Sequence, residues 1–282
     1  MGGSRSRGGP RWLLSAGAFC ALWTACGGEP EPAPPAPALL RVVSLSPAAS
    51  ELLLALGAGS QLVAVDAESA RLPGLDALPT ARLDGAAAFR PHLVLLPALP
   101  PDGSPALAGL RAAGSEVIEV APKDYSEVFA LCRALGARLA GETRAASFEI
   151  QLSRELAALA SLSRGSPRPR VAAVLGPEPL AVAPAPSFAT DLIEMAGGTS
   201  LSHVHDPERA PATVAQLAAA SPDLVLVMSA ASLPEAARTA ARRAIGDALA
   251  VEFFELDASR FWVRGGPDAV RRLRALIGPW TR

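Results

Sequence analysis

Short apolar runs alternate with amphipathic stretches along most of the chain. Val42-Val43-Ser44-Leu45, Leu62-Val63-Ala64-Val65, Leu93-Val94-Leu95-Leu96 and Val117-Ile118-Glu119-Val120 have the length and β-branched content of buried strands. The Ala- and Leu-rich segments between them have helical spacing. Ser46-Pro47 opens the first helix, with Ser46 as N-cap and proline in the first turn, and Gly57 closes it. This alternation predicts α/β architecture with mostly parallel sheets.

The same order recurs further along. Arg170-Val171-Ala172-Ala173-Val174-Leu175 echoes Arg41-Val42-Val43-Ser44-Leu45 at an offset of 129. Ser221-Pro222-Asp223-Leu224-Val225-Leu226 echoes Arg90-Pro91-His92-Leu93-Val94-Leu95 at an offset of 131. Two nearly equal offsets across half the chain predict two lobes of similar topology, with a ligand crevice between them. Between the repeats, 125–163 contains no proline and places Val128, Leu131, Leu135, Leu139, Phe148, Leu152, Leu156 and Leu159 at helical spacing. The pattern predicts one long helix joining the lobes, about 58 Å at ~1.5 Å per residue. Two helices broken near Gly141 fit the same residues.

The N-terminus differs in character. Arg5, Arg7 and Arg11 precede an apolar run over 12–25, shorter than the roughly 20 residues that a membrane span needs. It reads as a secretion signal. The run ends in Leu22-Trp23-Thr24-Ala25-Cys26, which resembles a bacterial lipobox with Cys26 as the lipidated residue; a plain cleaved signal is the alternative. Gly27 to Ala38 is rich in proline, which favours extended polyproline II and suits a semi-rigid tether. The organisation expected is a signal over 1–25, an anchored tether over 26–38, a first lobe over 39–122, a linking helix over 123–166 and a second lobe over 167–282. The protein is then placed in the cell envelope, held to a membrane by Cys26.

Composition narrows the function. With 26 Lys+Arg against 27 Asp+Glu, the chain lacks the basic excess of a nucleic-acid binder. Of three cysteines, Cys20 leaves with the signal and Cys26 carries lipid, so Cys132 has no partner for a disulfide. There is no Gly-x-Ser-x-Gly elbow, phosphate-binding loop or dinucleotide fingerprint, and an enzyme is not expected. No resident cofactor is expected either.

Several stretches together resemble the periplasmic solute-binding proteins of ABC importers for vitamin B12, haem and ferric siderophores, the compact cobalamin-binding type above all. They are the opening Arg41 to Gly57 with its Ser46-Pro47 and Glu51, the two Pro-Asp/His-Leu-Val strands, Ala196-Gly197-Gly198, and Phe261-Trp262-Val263-Arg264-Gly265-Gly266-Pro267. The resemblance implies two lobes joined by a rigid helix, a cargo containing cobalt or iron, and a permease with its ATPase as partners.

Carried over residue by residue, the resemblance places Glu68, Leu78 to Thr80, Pro97 and Arg209 where cobalamin receptors generally have aromatic rings. Phe261 and Trp262 stand where the late cleft loop carries aromatics, Arg264 matches a ligand-contacting arginine, and Arg260 replaces an acid. With Arg82, these arginines make a positive cleft suited to carboxylates or phosphates. Asp84 matches the first lobe's acid for permease docking, whereas the second lobe's position is Ala215, with Glu208 nearby. His203 and His205 alternate on one short segment and form a weak candidate for a metal ligand pair, since two imidazoles alone seldom complete a site.

Overall fold

The computed structural model describes residues 39–280, apart from 102, 178, 205–212, 230–231, 257–262 and 264. Among the described residues, no helix is long and apolar enough to cross a membrane.

The first lobe runs β1 (Val42–Ser44), α1 (Pro47–Ala55), β2 (Leu62–Val65), β3 (Leu93–Leu96), α2 (Pro105–Ala112) and β4 (Glu116–Glu119). The strands are parallel in the order β2-β1-β3-β4. The Ser46 hydroxyl caps α1 by accepting from the Ala49 N–H, and Pro47 needs no partner there. Gly57, at φ 73°, supplies the left-handed turn that ends this helix.

Two helices follow, α3 (Tyr125–Leu139) and α4 (Glu142–Ser161), where the periodicity predicts a single one. The break falls at Ala140-Gly141. Gly141 stands at φ 90°, a conformation that side chains of L-residues avoid, and the chain folds back so that α4 packs on α3. Contact is close: a Cβ added at Gly136 would lie 2.5 Å from that of Ala145. Arg133 pairs with Glu149 across the hairpin, and the Gln61 amide donates to the Leu139 carbonyl at the end of α3. The single 39-residue rod is thus replaced by a hairpin, in which the 20-residue α4, about 30 Å at ~1.5 Å per residue, bridges the lobes.

The second lobe runs β5 (Arg170–Pro177), β6 (Leu180–Val182), α5 (Phe188–Ala196), β7 (Thr199–Ser200), α6 (Leu201–Val204), α7 (Val214–Ala219), β8 (Leu224–Ser229), α8 (Glu235–Ile245), β9 (Val251–Glu255) and α9 (Gly265–Ile277). Its order is β6-β5-β8-β9, with β7 also pairing β5; only β6 is antiparallel.

The sequence repeat is a structural one. Val42 pairs with Leu93 in the first lobe, and Val171 with Leu224 in the second. Arg90 and Ser221, one residue before each Pro, share φ values of 48° and 49°. The His92 Nδ1 accepts the Arg41 N–H at 2.9 Å, and the Asp223 carboxylate accepts the Arg170 N–H at 2.7 Å. Each side chain therefore satisfies the first backbone donor of the leading strand, at the amino end of its sheet.

One apolar core runs through both lobes. It joins Leu52, Leu53 and Leu93 to Leu135, Leu152 and Leu156 of the hairpin, and onward to Leu192, Leu224 and Val270. Separate clusters cover the outer faces of the two sheets. At the far end of α4, Arg274 donates to the Leu159 carbonyl at 3.1 Å and to that of Leu162, and Arg271 meets Glu155 at 2.9 Å. Cations at a helix C-terminus satisfy its last carbonyls and oppose its dipole.

Candidate functional site

In an open parallel sheet, ligands bind beyond the carboxyl ends of the strands. In the first lobe that edge is formed by the residues after Ser44, Val65, Leu96 and Glu119. A chain of hydroxyls holds it. The Ser50 Oγ lies 2.9 Å from the Ser44 Oγ and 2.8 Å from the Ser69 Oγ, and Ser44 donates to the Ser46 carbonyl at 3.1 Å. Ser69 in turn donates to the Asp66 carboxylate, which also accepts the Glu68 and Ser69 N–H groups at 2.9 and 3.0 Å. Ser44, Ser50 and Ser69 are wholly buried, so these bonds are made out of water, where a lost partner is costly. They tie the end of β1, the start of α1 and the loop after β2 into one unit.

That loop carries Glu68, which is exposed. Beside it, the segment after Pro79 extends the sheet: the Val65 N–H donates to Pro79, and the Ala81 N–H to Val65 at 2.7 Å. The parallel direction carries the chain past the end of β2, so Arg82 emerges on the same rim as Glu68, also exposed. Asp84 follows two residues later, exposed in the first turn of the 3-10 helix Leu83–Phe89. Glu68 and Arg82 thus both lie just beyond the carboxyl end of β2, with Asp84 two residues further along the chain.

In the second lobe the corresponding rim follows Ser229 and Glu255, held together by the Leu256 N–H donating to the Ser229 carbonyl at 2.7 Å. Arg209, Arg260, Phe261, Trp262, Arg264, His205 and Cys26 lie outside the described residues, and His203 is described only as backbone of α6. Val263, next to Trp262, is buried and lines a cavity of about 390 Å3 with Ala55, Phe148, Leu152 and Pro267. That cavity lies along α4, between the end of α1 and the start of α9. Ala215 is exposed in the first turn of α7, whose N-cap Thr213 forms a reciprocal capping box with Gln216.

The second lobe also meets the start of α3. Phe188 N–H donates to the Lys123 carbonyl at 2.8 Å, and the Tyr125 N–H to Asp191 at 3.0 Å. Burial, then the charges of Asp191, Glu155 and Glu51, pushes the Tyr125 phenol far above its ordinary pKa. A groove of about 530 Å3 opens there between α3, α4 and α5. Pattern reading misses two features, the hydroxyl chain and this joint. Ser44 and Ser50 interrupt otherwise apolar elements, which is the signal the first one leaves.

No family model and no curated protein sequence matches the chain. Solved structures do match. A periplasmic haem-binding protein from Pseudomonas aeruginosa is 26% identical, with a TM-score of 0.65 over 86% of this chain and 94% of that one. The periplasmic haem-binding protein BhuT, solved with two haems, is 25% identical, with a TM-score of 0.63 over 86% and 99%. The periplasmic vitamin B12-binding protein BtuF of Vibrio cholerae, at 19% identity, has a TM-score of 0.61 over 86% and 98% and likens the fold alone. These matches share with this chain a fold that spans most of its length.

Proposed function

We propose that this chain, which has the fold of the periplasmic substrate-binding proteins of ABC transporters, is the substrate-binding lipoprotein of an importer. It captures cobalamin or an iron chelate, a ferric siderophore or haem, in the cleft between the lobes and delivers it to a membrane permease with its ATPase. The observation that carries this reading is the repeated lobe. Strand pairs Val42–Leu93 and Val171–Leu224 are equivalent, both sheets are tied to one hairpin, and the whole matches solved haem-binding and B12-binding proteins over 86% of the chain.

The shared core through α3 and α4 supports a largely preformed cleft, since packed helices allow small movements where strand hinges allow wide ones. Within that reading, Glu68 and Arg82 contact ligand from the first lobe. Arg209, Arg260, Phe261, Trp262 and Arg264 contact it from the second. Cys26 is the lipid anchor, and the proline-rich tether holds the body in the cell envelope near its permease.

Asp84 is the docking acid of the first lobe, and its exposure on a short helix suits that role. The test is uptake in a strain dependent on this protein. Asp84→Arg is expected to abolish uptake while leaving ligand affinity unchanged; undiminished uptake removes Asp84 from docking. The exposed and uncharged Ala215 favours a second reading, a lipoprotein that keeps the receptor fold as a sensor or scaffold. Uptake unaffected by deletion of the gene, with binding intact, selects that reading.

A further inference from the structure

We infer that the cargo is a metal chelate whose coordination sphere is already closed on the face turned to the first lobe, a corrinoid with its axial positions filled or a hexadentate ferric chelate, rather than an open-sided haem. This inference rests on the importer reading above and deepens it by naming the class of cargo.

Haem iron is held by His, Cys, Met or Tyr. Residues 39–122 contain no Cys, Met or Tyr, and one His. That histidine, His92, precedes β3 at the amino end of the sheet, where its Nδ1 accepts the Arg41 N–H at 2.9 Å. The ligand-facing edge is the opposite one. The rim it would have to reach carries Ser46, Asp66, Glu68 and Arg82, none of which is an axial ligand for haem. The first lobe therefore has no donor to offer.

Stacking is missing from that lobe as well. Its one aromatic residue, Phe89, ends the 3-10 helix and packs on the outer face of the sheet, its carbonyl accepting from the Arg41 guanidinium at 2.7 Å. A flat macrocycle laid against this wall would be neither ligated nor stacked from its side. A saturated chelate needs neither, because its metal is enclosed and its periphery presents amides, carboxylates or methyl groups to polar and aliphatic neighbours.

The remaining donors of the described protein are committed elsewhere. Tyr125 and Cys132 are buried in α3, Met228 is buried in β8, and Met195 lines the groove between α3, α4 and α5. Any protein ligand to the cargo metal would fall to His203 or His205, both on the second lobe.

The test compares cyanocobalamin, ferrioxamine B and haemin as probes, by calorimetric titration and by absorption spectra of the mixtures. Cyanocobalamin or ferrioxamine B is expected to bind at least about tenfold more tightly than haemin, with haemin keeping the Soret band of its free form. Tightest binding by haemin, with a shifted Soret band that His203→Ala or His205→Ala abolishes, would overturn the inference while leaving the importer reading standing. Binding of no probe, by protein that still melts cooperatively, would remove the importer reading and this inference with it.

Discussion

The rings of Phe188 and Tyr125 meet edge to face, at 5.4 Å between centroids and 89° between planes, joining the first helix of the second lobe to the first turn of α3. Around this pair, Lys123 accepts the Phe188 N–H and Asp191 accepts the Tyr125 N–H. The second lobe is therefore tied to the hairpin at two places, along α4 and at this joint. A cleft mounted on two ties opens less than one hung on a single connection.

Phe188→Ala removes the ring from that joint. Truncating a buried Phe costs about 3–5 kcal/mol, of which the edge-to-face geometry contributes roughly 0.5–1.5. The expected outcome is a clear fall in Tm with one cooperative transition retained, because the shared core still joins the lobes. Two separated transitions would show instead that this joint, and not the rest of the hairpin, couples them.

The repeat supplies its own control for His92. Its counterpart Asp223 performs the same bond to the leading strand with a carboxylate. His92→Asp is therefore expected to preserve stability in urea unfolding. His92→Ala loses the acceptor for the Arg41 N–H and should cost about 0.5–1.5 kcal/mol. Equal losses in both variants would contradict the shared role.

Gly141 makes the hairpin turn at φ 90°. Gly141→Ala places a Cβ in a conformation, φ 90° with ψ 147°, that costs an L-residue about 1–3 kcal/mol, and the midpoint of urea unfolding should fall accordingly. A stabilised protein, the result expected from an alanine inside a continuous helix, would argue for the unbroken rod.

Burial pushes the Cys132 thiol from 9.0 up to about 12, with Glu149 adding to the shift. In the unfolded chain the thiol ionises near its ordinary value, so between those two limits the unfolded state holds fewer protons than the folded one. The contribution of this group to stability is intact below pH 9 and falls as the pH rises above it. Alkylation by iodoacetamide at pH 8.5 should accordingly track global unfolding; rapid labelling of the folded protein would place the thiol at the surface.

Much of the fold is legible in the pattern of residues. Strand positions follow from four short apolar runs, and the offsets of 129 and 131 become matching registers in two sheets. The linking segment is ambiguous in sequence, because helical periodicity continues across Gly141 whether the chain goes straight or folds back. What decides it is tertiary contact, the seating of Gly136 against Ala145. Site residues divide the same way. Glu68 and Arg82 are named through the resemblance alone, and both are exposed beyond the end of β2. The hydroxyl chain from Ser44 to Asp66 depends on which loops come together, and His92 acts through a backbone group 51 residues away, a partner that no local pattern reveals.

The central claim is that the space between the lobes captures a metal chelate, and the most direct measurement is an equilibrium titration followed by tryptophan fluorescence. Cobalamin, cobinamide, haemin and a panel of ferric siderophores are added in turn, with Trp262 as the reporter from the late cleft loop. The account predicts saturable quenching by at least one of them, with a matching rise in Tm, and loss of both in Arg82→Ala. A signal and a Tm unmoved by every compound would contradict it.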